Sequence, residues 1–141
     1  MSTGTVLAFD YGERFIGVAV GEGTLGLAHP LETIEARDEP TRFAAIDGFV
    51  AEWRPERLVV GLPLAMDGGR HGLTEQATAF ARALGARYAL PVTLVDERLS
   101  SADAESRLRD MGRGGRKHKS LAHPVAAQVI LQDYFDAHAA S

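Results

Sequence analysis

An apolar segment that ends in a single carboxylate constrains this chain more than any other feature of its sequence. Residues 6–9 form an unbroken apolar run, typical of a strand buried on both faces, and Asp10, Tyr11 and Gly12 follow it. Ionised oxygens beside a packed sheet lose hydration, so Asp10 needs a cation or several hydrogen-bond donors in return. Gly12 permits a positive backbone φ and the close approach of a bulky group. The segment therefore indicates either a metal or phosphate site at the edge of a sheet or a hairpin with a solvated tip.

Length and composition set the broad class of the protein. A chain of 141 residues is expected to fold as one domain, residues 1–141, around a single core. It has no cysteine, which excludes disulfides and thiolate zinc sites. No apolar segment approaches membrane-spanning length, and the N-terminus lacks the basic and apolar regions of a signal peptide. We therefore expect a cytoplasmic protein with no membrane partner.

Charge is distributed unevenly along the chain. The net charge of −4 argues against a general nucleic-acid binder. Residues 98–119, however, carry seven basic and three acidic side chains. This segment is either a local phosphate-contacting surface or a solvated helix and loop. Arg98 could contact a phosphate or form an ion pair with a neighbouring carboxylate. The candidate nucleic-acid contacts are Arg98, Arg113, Arg116, Lys117 and Lys119.

Hydrophobic periodicity and turn residues predict the element order β-β-β-α-β-α-β-α-α, an antiparallel meander followed by two α/β crossover units. The predicted strands cover residues 6–10, 15–21, 24–34 with a break at His29 and Pro30, 57–61 and 92–95, the last of them buried. The predicted helices begin at the caps Asp38, Thr74 and Ser100 and at Pro124, and the third ends at Met111. Residues 113–119 are expected not to pack.

This topology is expected to bring two distant carboxylates together. Right-handed crossovers make the strands that end at Asp10, Gly61 and Val95 parallel, with their carboxyl ends at the edge where open α/β sheets bind ligands. Asp10 and Glu97 should therefore meet in space. Neighbouring carboxylates repel unless protons or cations lie between them, and oxygen ligands suit Mg²⁺ or Mn²⁺. Such ions can hold the attacking and leaving oxygens of a phosphoryl displacement.

Four motifs, in order, extend over nearly the whole chain. They are residues 6–20 (VLAFDYGERFIGVAV), residues 60–64 with 66–68 (VGLPL and MDG), residues 95–100 (VDERLS), and Ala126, Ala127, Ile130, Leu131 and Tyr134. Together they closely resemble the YqgF family of bacterial proteins. The resemblance implies an α/β, ribonuclease H-like fold: a mixed five-stranded sheet, with a three-strand antiparallel meander and then two parallel strands, flanked by helices. It also implies a divalent-metal phosphodiesterase, either resembling Holliday-junction resolvases or maturing the end of precursor 16S ribosomal RNA.

The same resemblance assigns site residues. Asp10 matches the carboxylate that ends the family's first strand, Glu97 matches that of its DERLS motif, and the family's third acidic position holds His123 here. These three residues are thereby implied to be catalytic and to bind one or two Mg²⁺ or Mn²⁺ ions. A neutral imidazole can ligate a metal or accept a proton, and the positive end of a helix starting at Pro124 would favour the neutral form. Because the imidazole brings no negative charge, a second ion would bind more weakly or be absent.

Each candidate residue also has a structural alternative. Asp10 and Glu97 could both accept hydrogen bonds from loop amides, and His123 could simply cap the last helix. Asp96 is expected to be turned away from the site, because alternate strand residues face opposite sides of a sheet.

The sequence therefore predicts a metal-dependent nuclease for structured nucleic acid, with precursor 16S ribosomal RNA favoured over branched DNA. Expected partners are nucleic acid, ribosomal precursor particles and a second copy of the chain. The alternatives are a Holliday-junction-type DNA resolvase and a catalytically silent nucleic-acid-binding assembly factor. An ATP-dependent phosphotransferase ranks low, because 141 residues supply only one half of that two-part fold.

Overall fold

The computed structural model describes residues 4–35, 38–62, 72–96 and 116–138, which form five strands and three helices. In chain order these are β1 (Thr5–Asp10), β2 (Phe15–Glu22), β3 (Leu27–Glu35), α1 (Glu39–Trp53), β4 (Arg57–Leu62), α2 (Gly72–Tyr88), β5 (Val92–Asp96) and α3 (Arg116–His138). Their succession follows the predicted order, and the helix predicted from Ser100 to Met111 lies outside the described residues. Within the described ranges, no helix is long and apolar enough to cross a membrane.

The five strands form one mixed sheet in the order β3-β2-β1-β4-β5. Antiparallel pairing of β1 with β2 and of β2 with β3 gives the predicted meander, and β1, β4 and β5 run parallel. Phe9 lies opposite Val60, which in turn lies opposite Leu94. The carboxyl ends of these three parallel strands therefore share one edge of the sheet, where Asp10 ends β1.

Helices cover both faces of the sheet, because side chains alternate along each strand. Phe9 lies in a buried cluster with residues of α1 and α2, whereas Ala8 packs against α3 on the other face. By this alternation Asp10 lies on the face that α3 covers, and Tyr11 packs against the cluster of α1 and α2. The consecutive residues Asp10 and Tyr11 therefore lie on opposite faces of the sheet.

Two strands differ from their predicted form. β3 is continuous through Pro30, since Val18 pairs with Glu32 and Ala19 with Pro30, which leaves Leu31 as an extra residue in a bulge. A proline is tolerated there because β3 is an edge strand of the sheet that the described residues form. β5 is the opposite edge of this sheet and is not buried as predicted, since Leu94 is 41% exposed and, among the described strands, β4 is its only neighbour.

Two of the three helices begin earlier in the sequence than predicted. Asp38 caps α1 as predicted, and its carboxylate accepts a hydrogen bond of 2.8 Å from the Thr41 amide. α2, however, begins at Gly72, so Thr74 is a buried residue of its first turn rather than its cap. α3 begins at Arg116 instead of Pro124, and residues 116–119 are helical. Residues 116–122 are mostly strong helix formers, which oppose the helix-breaking effect of an internal proline.

Asp47 fastens α1 to α2 through charged and hydrogen-bonded contacts. Its carboxylate accepts hydrogen bonds from the Arg87 guanidinium at 2.7 and 2.9 Å and from the Tyr88 hydroxyl at 2.5 Å. These bonds, chiefly those from Arg87, lower the pKa of Asp47 from 3.8 to about 2. A carboxyl group whose pKa is depressed by folding stabilises the folded state above its unfolded pKa, and that contribution is lost as pH falls through the folded value.

We therefore expect Asp47→Asn to lower the urea midpoint of unfolding at pH 7, with the difference from wild type shrinking between pH 4 and pH 2, the interval set by the two pKa values of Asp47. Glu52→Gln, at an exposed position of the same helix, is the matched control and should leave the midpoint unchanged. Urea titrations at a series of pH values measure both effects. An Asp47→Asn deficit that persists undiminished at pH 2 would show that the carboxylate charge is not its origin.

Candidate metal and phosphate site

Asp10 occupies the carboxyl end of β1, at the centre of the sheet. It is half-buried and pairs with Gly17 of β2 in the antiparallel ladder. Gly61 of β4, which follows the Phe9 partner Val60 and is therefore level with Asp10, pairs with Val95 of β5. Val95 packs against the α3 cluster, so it faces the same side of the sheet as Asp10. The region beside the Asp10 carboxylate is therefore bounded by β2 on one side, β4 and β5 on the other, and α3 above.

His123 reaches this region through a close backbone contact. A Cβ atom placed on Gly17 would overlap the carbonyl oxygen of His123, so α3 crosses β2 in direct contact with its backbone. Gly17 is the residue that pairs with Asp10. Asp10 is therefore the sheet neighbour of Gly17, and the His123 backbone covers the same glycine on the face of the sheet that α3 occupies.

The His123 ring is held by an aromatic neighbour. It stacks on Phe15 with ring centroids 5.1 Å apart and an interplanar angle of 21°. The Arg14 guanidinium lies 5.1 Å from the centroid of the same Phe15 ring and forms a 3.0 Å ion pair with Glu35. The imidazole is therefore oriented by packing, with its plane parallel to Phe15.

His123 does not cap a helix, since it lies seven residues inside α3. The predicted capping role is therefore wrong. The effect of a helix dipole falls off within the first turn, so the predicted influence of the positive helix end does not reach this residue. The contact at Gly17 places the backbone of His123 against the β2 residue that pairs with Asp10.

The loop that follows Asp10 is braced from α1 by Arg42, a residue that the sequence interpretation missed. Arg42 is only 7% exposed, and its guanidinium donates hydrogen bonds to the Tyr11 hydroxyl at 3.3 Å and to the Glu13 carbonyl at 2.5 Å. A cation at position 42, four residues before the buried Ile46 on the apolar stripe of α1, was the available signal. Arg42 therefore orients the loop next to Asp10.

Gly12 serves close approach and not a special backbone angle. Its φ lies outside the left-handed region, so the positive φ that glycine permits is not used here. A Cβ at this position would instead overlap the carbonyl oxygen of Phe15. The hairpin from β1 to β2 is tight enough that only glycine fits, which keeps Asp10 and Phe15 at the same edge.

The other predicted site residues are placed only in part. Arg116, Lys117 and Lys119 lie in the first turns of α3, within about 10 Å of His123 along the helix axis at 1.5 Å per residue. α3 runs from Gly17 toward Gly21, where Phe135 packs, so its first turns belong to the carboxyl edge. Glu97, Arg98 and Arg113 lie outside the described residues.

Asp96 ends β5 at the same edge and, by alternation from Val95, faces the side away from Asp10, as predicted. Within the described residues, no three His, Asp or Glu side chains are close enough to hold a metal ion. The described part of the site therefore offers one carboxylate and one imidazole.

A family model described as RuvX, Holliday junction resolvase, matches residues 4–137. A protein of Methylobacillus flagellatus is 58% identical over 135 residues, covering 96% of this chain and 92% of that protein. A protein of Dechloromonas aromatica is 56% identical over 133 residues, covering 94% and 91%. Both carry the name "Putative pre-16S rRNA nuclease".

Comparison with solved structures concerns the fold. The chain is similar to Thermus thermophilus RuvC, with a TM-score of 0.57, 15% identity and 96% of each chain covered. It is also similar to T. thermophilus RuvC in complex with a Holliday junction substrate, with a TM-score of 0.59, 19% identity and the same coverage. At these identities the likeness establishes the architecture alone. The predicted ribonuclease H-like fold, with its mixed five-stranded sheet, is confirmed.

Proposed function

The chain belongs to the RuvX family, which is the YqgF family that its motifs resemble, and on that premise we propose that it is a divalent-metal-dependent nuclease. Relatives that are 58% and 56% identical carry the name of a nuclease, and they match this chain over nearly its full length. The single observation that carries the proposal is that Gly17, the sheet partner of Asp10, lies against the His123 backbone at the carboxyl edge of the parallel strands. The nuclease is a single domain, residues 1–141.

The proposed ligands of the metal are Asp10, Glu97 and His123. Asp10 and Val95 lie in one row of the ladder, two strand spacings apart, so their Cα atoms are separated by about 10 Å. Glu97 is two residues beyond Val95, and a carboxylate from there and one from Asp10 could converge on an ion between them. Two carboxylates and one imidazole fit a divalent cation, and imidazole suits Mn²⁺ better than it suits Mg²⁺.

Bound in this way, one or two ions would supply Lewis-acid stabilisation and an activated water for phosphodiester hydrolysis. The protein's own residues prepare that reaction. Arg42 holds the loop after Asp10, and Phe15 holds the plane of the His123 imidazole. The His123 imidazole, held against Phe15, is proposed to accept the proton of the attacking water. Since His123 replaces a carboxylate of the family pattern, we propose that one ion binds tightly and the second weakly.

Structured nucleic acid is the proposed substrate, and precursor 16S ribosomal RNA is favoured over branched DNA. The relatives named for the ribosomal precursor are 58% and 56% identical, whereas the resolvase bound to a junction is 19% identical and supports the fold only. Contacts to the phosphate backbone are proposed for Arg98, Arg113, Arg116, Lys117 and Lys119. Cytoplasmic ribosomal precursor particles, and a second copy of the chain, are the proposed partners.

The test is hydrolysis of a structured RNA that carries a precursor 16S extension, compared with a four-way DNA junction. We expect RNA cleavage with Mn²⁺ and slower cleavage with Mg²⁺, none in EDTA, and little cleavage of the junction. The ion dependence follows from the donor set, in which one nitrogen accompanies two carboxylates. Undiminished cleavage in EDTA would refute metal dependence. Binding of the RNA without cleavage in either metal would instead favour a catalytically silent assembly factor. The observation that suggests this alternative is the histidine at position 123, where the family pattern has an acidic residue.

A further inference from the structure

A cavity opens on the face of the sheet opposite the proposed metal site, one residue along the chain from Asp10. Its volume is about 160 Å³, and it lies between the N-terminal halves of α1 and α2. The residues that give it its character are Tyr11, Glu39, Arg42, Phe43, Gln76 and Phe80. Because Tyr11 follows Asp10 directly, the cavity and the metal site share one strand end and lie on its two sides.

The cavity has room for a single ring system. Pockets for drug-sized ligands have volumes of about 300–1,000 Å³. The volume of this cavity is about half the lower of these values, so it admits a single ring system and not a whole nucleotide. Three aromatic rings bound it: Phe80 lies 5.0 Å from Tyr11 and 6.0 Å from Phe43, measured between ring centroids. These rings give the walls an apolar, stackable surface.

The polar groups of the cavity select against simple ions. The buried Arg42 guanidinium disfavours a cation, and the Glu39 carboxylate disfavours an anion such as phosphate. The Arg42 guanidinium donates hydrogen bonds to Tyr11 and Glu13, so it forms part of the cavity lining and is not proposed as a ligand contact. The exposed side chains of Glu39 and Gln76 add an acceptor and an amide that both donates and accepts. A neutral heterocycle with donors and acceptors on its edge matches this lining.

We propose that this cavity binds one unpaired nucleobase of a nucleic acid whose backbone crosses the carboxyl edge at Asp10. The inference rests on the proposed function and deepens it, because it names single-stranded nucleic acid beside the scissile bond as the preferred substrate. Single-stranded bases are recognised in proteins by stacking on aromatic side chains and by hydrogen bonds to their edges. A fully paired base cannot enter, so duplex on both sides of the bond would be bound less well.

Binding measured without catalysis tests the cavity separately from the nuclease. The probe is a fluorescein-labelled RNA hairpin with a single-stranded tail, in which each tail base is replaced in turn by an abasic site, titrated in EDTA. Loss of one stacked base weakens binding roughly tenfold. We expect one abasic position to raise the Kd of the wild-type protein about tenfold, and the neighbouring positions to change it little.

Two variants and one matched control assign that effect to the cavity. Ala79→Phe fills the cavity from an exposed position of α2, and Gln76→Leu removes its amide while leaving its size nearly unchanged. Ala86→Phe makes the same change at an exposed position of α2 that does not line the cavity. We expect both variants to bind the intact tail with about the affinity that wild type shows for the sensitive abasic tail, and Ala86→Phe to behave as wild type.

The possible outcomes separate the two proposals. An abasic effect that disappears in Ala79→Phe supports the cavity even if no metal ever gives cleavage, in which case only the nuclease proposal falls. Equal Kd values at every abasic position, or an equal abasic effect in Ala79→Phe and Ala86→Phe, overturns the base-binding cavity even if the enzyme cuts RNA. Failure of the wild-type protein to bind the tailed hairpin more tightly than a blunt hairpin overturns it as well.

Discussion

Replacing Asp10 by asparagine is expected to lower metal-dependent hydrolysis by about 10³-fold, because a metal ion contributes several kcal/mol of transition-state stabilisation and each 1.36 kcal/mol is a factor of ten in rate. Asparagine has the same shape as aspartate, but its amide offers one neutral oxygen where the carboxylate offers charge. Asp10 is half-buried at the end of β1, so we expect the loss of hydrolysis rate to arise at the proposed metal site. Single-turnover cleavage of the precursor RNA in Mn²⁺ measures it.

Asp96→Asn is the matched control, since Asp96 ends β5 at the same edge but faces the other side of the sheet. Its cleavage rate should remain within a few-fold of wild type. Glu97→Gln should resemble Asp10→Asn, and the double variant should be little worse than either, because residues that act on one ion act as a unit. The urea midpoint of Asp10→Asn in EDTA should be no lower than that of wild type, which separates chemistry from folding. Retention of more than about a tenth of the wild-type rate by Asp10→Asn would contradict this role.

Gly17→Ala is expected to have the largest effect on stability, a loss of about 3 kcal/mol, at the upper end of the usual cost of overpacking a core. The added Cβ would overlap the His123 carbonyl, which is backbone and cannot rotate away as a side chain would. Relief of the overlap requires α3 to move off β2, which exposes the apolar surface between them. Since folded domains are stable by about 5–15 kcal/mol, this loss is a large part of the total.

Gly48→Ala provides the control for this prediction. Gly48 lies within α1, a Cβ added there meets no atom within 4 Å, and alanine favours helix over glycine by about 0.5–1 kcal/mol. Urea unfolding should therefore show opposite signs for the same chemical change, a lower midpoint for Gly17→Ala and a slightly higher one for Gly48→Ala. A Gly17→Ala protein as stable as wild type would mean that His123 is not held against the sheet at this glycine.

The sheet could be predicted from sequence because its determinants are local. Apolar runs of strand length, such as residues 6–9 and 57–61, were separated by glycine turns or by segments with helical periodicity, and crossover handedness then gave the parallel strands. The cap at Asp38 was likewise readable from Asp38 and Pro40 alone. Each of these features depends on residues close together in the chain.

What could not be predicted depends on contacts between distant segments. The exposure of β5 follows from its position at the edge of the sheet, which the apolar run Val92–Val95 does not encode. The start of α3 at Arg116 required the preference of several helix formers to exceed the effect of Pro124, a balance that a local proline rule decides wrongly. Arg42 could not be distinguished from other charged residues of a helix, because its partners Tyr11 and Glu13 are about 30 residues away in the sequence.

For the site, the apolar run placed Asp10 at the carboxyl edge and the family resemblance named His123, and only the alternative role of that histidine as a helix cap is contradicted. Its position comes from the glycine contact between α3 and β2, two segments about 100 residues apart in sequence. The convergence of Glu97 with Asp10 stays a prediction, since Glu97 lies outside the described residues.

A crystal of the protein soaked in Mn²⁺ and recorded at an energy where manganese scatters anomalously tests the central claim most directly. We predict an anomalous peak within roughly 2.5 Å of the Asp10 carboxylate, with Glu97 and His123 as further ligands. An Asp10 carboxylate with no manganese beside it at saturating Mn²⁺ would contradict a metal-dependent nuclease at this edge of the sheet.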